Sequence, residues 1–391
     1  MHLFINGLAA SAGGGLTYLR NVIPHLAARD DLQTTVLLSG QLRSEFSEST
    51  NVSFLSADDF PQIARRFWFE QRAVPRFIKQ SCANVLLSTG NFAIRNPTVP
   101  QILLSRNALY TSHHFEADLR ARRELHLWID TQLKKAAAKW SIGVADSTVA
   151  PSEAFAQELR QWTGKDITAI HHGFDRAAFV RDRTPLPLAV QEQLDSKGGA
   201  LRILFVSHYN YYRNFETLFR AMPLIKRQLA PREVVLFLTC QLAPGANPGS
   251  YHANSASALV RELGISTDVV ELGAVPYKNL HHVYRSADVY VSPAYAESFA
   301  HPLVEAMASG LPVVASNLAV HREICGSGAL YFDTFAPQEL ADRVVAIVQS
   351  QSLHTQLSEA GAERSMAFSW RTHVERVIGL ASELCHARNG K

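Results

Sequence analysis

Short apolar runs alternating with amphipathic stretches, from the first residues almost to the last, constrain this chain more than any other feature. In the first half, strands are expected at 2–6, 33–39, 84–88, 100–105, 142–146 and 167–171. Helical periodicity fills the gaps at 15–29, 62–80, 116–139 and 152–163. Strand, helix and strand in succession form a parallel sheet with right-handed crossovers. The pattern breaks near 180–199, where Arg181-Asp182-Arg183-Thr184-Pro185-Leu186-Pro187 and Ser196-Lys197-Gly198-Gly199 read as linker. It restarts at Ile203-Leu204-Phe205-Val206, with further runs at 233–239, 268–275, 289–293, 312–316 and 329–333. From 353 to 386 only helix is expected, either capping the second half or crossing back onto the first. The fold class is therefore α/β: two doubly wound domains, 1–180 and 200–369, joined by a linker at 181–199. No internal repeat interrupts this plan.

Composition narrows the function classes. A chain of 391 residues with 47% hydrophobic side chains can bury two cores without disulfide or metal staples. A net charge of +3 is too mild for a nucleic-acid binder. Cys82, Cys240, Cys325 and Cys385 are far apart, which fits a reducing compartment rather than a zinc ribbon or disulfide framework. No apolar run approaches the ~18 residues that span a bilayer. The start, Met1-His2-Leu3-Phe4-Ile5-Asn6-Gly7, reads as a first strand rather than a signal peptide, so a cytoplasmic protein is expected.

Two stretches carry candidate chemistry. The first βα turn contains Gly13, Gly14 and Gly15 ahead of a helix, where amides can approach an anion; the alternative is a tight turn with packing glycines. It is neither G-x-G-x-x-G nor a P-loop. The second stretch is Glu297-Ser298-Phe299-Ala300-His301-Pro302-Leu303-Val304-Glu305, lying between two apolar runs in a strand–loop–helix–strand pattern. Pro302 suits a first helical turn and Gly310 a helix end. The amides of 300–303 could receive a diphosphate, and Glu305 could accept ribose hydroxyls. Alternatively, Glu297 steadies the helix dipole and Glu305 is a solvated helix residue.

This second stretch resembles the E-x7-E block of retaining glycosyltransferases with the GT-B fold, in particular glycosyltransferase family 4. The usual form there is close to P-S-x-x-E-G-F-G-L-P-x-x-E-A-M-A-x-G-x-P-V-V-A-S. The resemblance implies that Glu297 contacts hydroxyls of the donor sugar and Glu305 the nucleotide ribose. Ser298, Ala300 and His301 replace the usual Gly, Gly and Leu, which bears on the donor pocket. The segment from Phe205 through Ser207 and His208 to Arg213-Asn214 resembles V-G-R-x-x-x-x-K-N, whose basic pair binds the pyrophosphate. Arg213 stands at the usual Lys and His208 at the Arg. Arg keeps its charge and binds phosphate bidentately, whereas His is only partly charged near neutrality.

Further segments are similar in order and spacing. Ile170-His171-His172-Gly173-Phe174-Asp175 resembles I-P-N-G-V-D ahead of the interdomain linker. Glu271-Leu272-Gly273-Ala274-Val275-Pro276 resembles the F-x-G-x-V segment bordering the base. Phe368-Ser369-Trp370 resembles the F-S-W opening a last helix, 370–388, that crosses back to the first domain. The resemblance thus implies two Rossmann-like domains facing across a cleft.

On the acceptor side, Asn107 and His113 follow a strand where related enzymes carry a contacting His; the alternative is ordinary loop polarity. The pairs His113-His114, His171-His172 and His281-His282 do not suggest a metal, since adjacent residues diverge and acidic or cysteine partners are missing. In 62–80, Arg65, Arg66, Arg72, Arg76 and Lys79 interleave with Phe67, Trp68, Phe69 and Phe77, against the single acid Glu70. Such a helix either rests on an anionic membrane or buries its aromatics and solvates its cations.

The expected activity is retaining, metal-independent transfer of a sugar from a UDP- or GDP-linked donor to a hydroxyl of a glycan or lipid-linked acceptor. The resemblance sets this in surface polysaccharide or lipopolysaccharide assembly, at the inner face of the membrane. Glu297, Arg213 and His113 are the expected catalytic residues. Donor contacts are expected from Gly14, Gly15, Ser207, His208, Arg213, Gly273, Ser298, Phe299, Ala300, His301, Leu303 and Glu305. No cofactor is expected. The alternatives are a catalytically silent scaffold of the same fold, a nucleotide-sugar epimerase, or a phosphorylase. The last is weakened because no lysine is placed for a pyridoxal Schiff base.

Overall fold

A strand covered by helices on both faces must be apolar at nearly every position. β1 (His2–Asn6) is buried at four of five residues. With β2 (Gln33–Ser39), β3 (Val52–Ala57), β4 (Val85–Ser88), β5 (Gln101–Leu104), β6 (Ser147–Ala150) and β7 (Thr168–Ala169) it forms a parallel sheet of order β3-β2-β1-β4-β5-β6-β7. Alternate side chains serve opposite faces. Leu3, Ile5, Val36 and Leu38 pack under helices Gly14–Ala27 and Trp370–Asn389, and Phe4, Leu37 and Leu86 under helix Ile63–Ser81. The computed structural model describes the chain except residues 11–13, 61, 182, 248, 250, 390 and 391, and except the side chains of residues 63 and 389.

The second sheet repeats the plan. β8 (Leu201–Phe205), β9 (Val234–Leu238), β10 (Val269–Glu271), β11 (Val289–Ser292), β12 (Val313–Ser316) and β13 (Ala329–Phe332) run parallel in the order β10-β9-β8-β11-β12-β13. The order reverses between β8 and β11, and at such a switch point the carboxyl ends of the strands open a crevice.

The chain divides into one unit of Met1–Thr111, Ile129–Gly173 and Ser369–Lys391 and another of Ser112–Trp128 and Phe174–Phe368. These bounds differ from the expected 1–180 and 200–369 in two ways. The chain passes between units at Gly173, so helix Arg176–Arg181 belongs to the second unit. The expected linker at 181–199 holds a helix of its own, Leu188–Asp195, with Asp182 outside the described residues. In addition, 112–128 groups with the second unit through side-chain bonds that no local pattern reveals. Arg122, held within the segment by Asp118 at 2.7 Å, pairs with Glu216 at 2.9 Å, Tyr295 donates to Asp118 at 2.7 Å, and Tyr211 donates to Glu124 at 2.6 Å.

Element identities differ in two places. The strand expected at 142–146 is the end of helix Leu125–Val144, and the strand follows at Ser147–Ala150. Ile142 faces the core from that helix, and a short apolar run reads equally as strand or helix. β3, between acidic and serine-rich stretches, went unexpected. The last helix, Trp370–Asn389, lies in the first unit, its Trp370, Val374, Val377 and Ile378 in that unit's core.

Candidate active site

The chain leaves β8 through Ser207, whose amide donates to Thr239 Oγ1 at 3.0 Å, and enters a tight turn at Tyr211–Arg213. Asn214 closes the turn in the left-handed conformation, φ 55°. Its side-chain amide donates to Pro293 O at 3.0 Å and Thr334 O at 2.8 Å, pinning the turn to the loop after β11. Arg213 is thereby held against Glu297, with which it forms an ion pair through Nη1. Its Nε–H is buried and has no hydrogen-bond partner among the described residues.

Electrostatics bind the pair. Burial alone would raise the Glu297 carboxyl, but Arg213 foremost, with the Ser298 amide, holds it below the ordinary carboxylate value. That amide reaches Glu297 Oε1 at 3.1 Å. Burial would lower the Arg213 guanidinium, but Glu297 outweighs this and raises it, so both groups stay charged. His208 is exposed, and local desolvation and the Arg213 charge lower its pKa, which makes it a weak second cation at neutral pH.

Beyond Glu297 the backbone turns at Ala300 through φ 68°, ψ 61°, a conformation that glycine adopts without strain. Helix His301–Ala308 starts there with Pro302 in its first turn. Of the amides expected to cradle a diphosphate, Pro302 supplies none, and that of Leu303 donates to Ala300 O at 3.0 Å. Phe299 is buried against His301 and Phe368, with ring centroids at 4.8 and 5.4 Å. Glu305 is not a solvated helix residue. It is buried, accepts from Tyr284 Oη at 2.8 Å and from Tyr277, and burial pushes its pKa up to about 7. Gly273, after β10, takes φ 73° beside Gln241.

Sequence reasoning missed two buried side chains here. Tyr290, on β11, feels the charges of Arg213, Glu305 and Glu297 together, which places the expected residues around one strand end. His321, in helix Ala319–Cys325, is buried beside Glu297 and bonded to Ser316. Two carboxylates and one fixed cation at strand ends can hold a phosphate and several hydroxyls.

The remaining expected residues are more scattered. Gly14 and Gly15 open helix Gly14–Ala27, and a Cβ on Gly15 would stand 3.0 Å from Ala10 Cα; Gly13 lies outside the described residues. Arg106, another residue missed, donates to Gly14 O at 3.0 Å and lies over the Tyr18 ring. Asn107 accepts from the Leu109 amide at 3.0 Å and caps its own turn, in the first unit. His113 is exposed at the start of helix His113–Ala121, in the second unit, so the structure assigns the two to different bodies. Its neighbour His114 packs on Phe335 and Tyr295 at 5.1 and 6.3 Å.

Helix Ile63–Ser81 divides its aromatics. Phe69 and Phe77 pack on the core, while Trp68 is 61% exposed in line with exposed Arg65, Arg72 and Arg76. Glu70 is buried, 3.6 Å from Arg66. Among the described residues no helix is long and apolar enough to cross a membrane, and no three His, Cys, Asp or Glu converge as metal ligands.

Two family models match almost the whole chain between them. Residues 12–178 match the model described as Glycosyltransferase Family 4, and residues 189–364 that described as Glycosyl transferases group 1. A D-inositol 3-phosphate glycosyltransferase of Corynebacterium aurimucosum is 24% identical over 294 residues, covering 72% of this chain and 68% of that protein. Matches to the curated relatives span about half to two thirds of their length. Sucrose-phosphate synthase from Thermosynechococcus elongatus superposes with a TM-score of 0.77 at 19% identity, over 99% of this chain and 100% of that one. Anabaena Alr3699/HepE, solved in complex with UDP-glucose, gives a TM-score of 0.72 at 18% identity, over 98% of this chain and 100% of that one. The structural matches show a shared fold.

Proposed function

This chain belongs to the family 4, group 1 glycosyltransferases of the GT-B fold, and from that premise we propose that it transfers a sugar, with retention, from a UDP- or GDP-linked donor to a hydroxyl of a glycan or lipid-linked acceptor. The observation that carries this reading is the part-buried Arg213–Glu297 ion pair at the carboxyl end of β8 and β11. Arg213, fixed by Asn214, faces the donor diphosphate; Glu297 takes sugar hydroxyls; Glu305, backed by Tyr284 and Tyr277, takes the ribose hydroxyls. His208 and the amides near Ala300 add polar contacts, and His113 serves the acceptor.

In the reaction, the bond from the anomeric carbon to the phosphate oxygen breaks and its electron pair leaves with the diphosphate. The acceptor oxygen forms a new bond on the same face, and its proton passes to the departing phosphate oxygen. Charge grows on the diphosphate, and a preorganised cation there stabilises the transition state more than the ground state. No metal enters this reading, because Arg213 meets the charge. His208, a second candidate cation, is secondary because local desolvation and the Arg213 charge lower its pKa.

The test is a transfer assay in chelator. Arg213→Gln is expected to lower the rate by about 10²–10³, as loss of one preorganised donor does. A rate within threefold of wild type would sink the assignment.

The proposal places the protein in glycan assembly at the inner face of a membrane. Arg65, Trp68, Arg72 and Arg76 form a cationic face with one interfacial aromatic and no exposed acid on their helix. Each cation near an anionic surface contributes roughly 1 kcal/mol. Vesicles containing anionic lipid should retain the protein at low salt and release it at high salt or after Trp68→Ala combined with Arg72→Ala. Equal retention of that variant argues against this face.

A further inference from the structure

His321 poses a question that the donor reading leaves open. Its Nδ1 stands 3.0 Å from both the carbonyl oxygen and the hydroxyl of Ser316 at the end of β12. A carbonyl only accepts, so Nδ1 carries the proton and Nε2 presents a lone pair. The ring is fully buried, and Nε2 has no hydrogen-bond partner among the described residues. Burial lowers the imidazole to about 4, which keeps it neutral. Arg213 offers the complement, a buried Nε–H donor also without a partner among the described residues.

The two orphans belong to one neighbourhood. Ser316 Oγ donates to Ala294 O, and Asn214 Nδ2 donates to Pro293 O at 3.0 Å, so both residues are tied to the loop that carries Glu297. His321 and Arg213 both lie within electrostatic reach of the Glu297 carboxylate and of one another. Leaving one buried acceptor and one buried donor unmatched is costly, and native proteins keep such groups where something pairs with them.

We propose that His321 Nε2 and Arg213 Nε form a subsite for one hydroxyl of the transferred sugar. That hydroxyl accepts from the guanidinium and donates to the imidazole, while Glu297, an acceptor only, takes a neighbouring hydroxyl. The inference rests on the nucleotide-sugar reading and adds to it a determinant of which sugar is accepted. A site built to pair with a hydroxyl rejects the analogue that lacks it far more strongly than an apolar pocket does.

Calorimetric titration tests this with wild type and His321→Phe, which retains ring volume and loses Nε2. The probes are UDP, GDP, ADP and dTDP, each against its glucose and mannose conjugates. The expected result is about tenfold weaker binding of the sugar conjugate by the variant, with the free diphosphate unchanged. One deoxy-sugar conjugate should cost wild type the same factor and the variant nothing. Equal weakening of diphosphate and conjugate, or no weakening of either, overturns the subsite and leaves Nε2 holding structural water only. Failure of wild type to bind any of these nucleotides refutes the donor reading itself. Should His321→Phe not fold, nitrogen NMR on wild type decides. The Nε2 resonance of His321 should move with the conjugate and not with the diphosphate, and the same movement with both overturns the proposal.

Discussion

Part-buried Glu297 and buried Glu305 lie eight residues apart in the chain, yet their pKa values move in opposite directions: at Glu297 the Arg213 guanidinium outweighs burial, whereas at Glu305 burial outweighs the hydrogen bonds from Tyr284 and Tyr277. Glu297 contributes stability above pH 4.5 that is lost as pH falls through its lowered value. Glu305 behaves oppositely. Its pKa rises from 4.5 to about 7, so the folded state holds its proton more tightly and stability falls as pH climbs through that window. At about 1.4 kcal/mol per pKa unit, Glu305→Gln should make the protein about 3 kcal/mol more stable than wild type at pH 8, and no more stable at pH 4. Denaturant melts at the two pH values check this, and a pH-independent difference would contradict it. The same substitution should weaken nucleotide binding, as expected of a residue retained for function rather than stability. Glu297 and Glu305 could be singled out because one long, distinctive stretch of sequence resembles a known family's, and Arg213 because a second, separate segment does. His321 and Tyr290 could not, because their importance depends on Ser316, Ala294 and Arg213 coming from other strand ends.

Elements show the same division between local pattern and tertiary override. Strands buried on both faces announce themselves as apolar runs, so nearly all of the parallel strands were legible. Val52–Ala57 was masked by its polar exposed positions, and the apolar end of helix Leu125–Val144 imitated a strand. The attachment of 112–128 rests on Arg122, Asp118 and Glu216 and has no periodicity to read. The last helix is attached more tightly. A Cβ on Gly173 would fall 2.0 Å from Trp370 N and 2.4 Å from its Cα, both backbone atoms that have no rotamer to escape into. Gly173→Ala should therefore cost about 3 kcal/mol and expose helix Trp370–Asn389 to hydrogen exchange ahead of the rest of its unit. A loss below 1 kcal/mol with unchanged exchange in 370–389 would show that the backbone shifts freely there.

For the whole molecule, two sheets with strand order reversing beside the first strand of each give two crevices, and the second carries the Arg213–Glu297 pair and Glu305. The two-domain plan was legible from alternation and one linker, whereas the true unit bounds at Gly173 and 112–128 were not. The central claim is that a nucleoside diphosphate binds at the strand ends of the second unit, with Glu305 on its ribose. The most direct test is thermal unfolding with UDP, GDP, ADP and dTDP, in chelator, on wild type and Glu305→Gln. At 100 times its dissociation constant for wild type, one nucleotide should add about 2.7 kcal/mol of stability to wild type and markedly less to the variant. A shift of equal size in both proteins, or no shift with any nucleotide, would contradict the account.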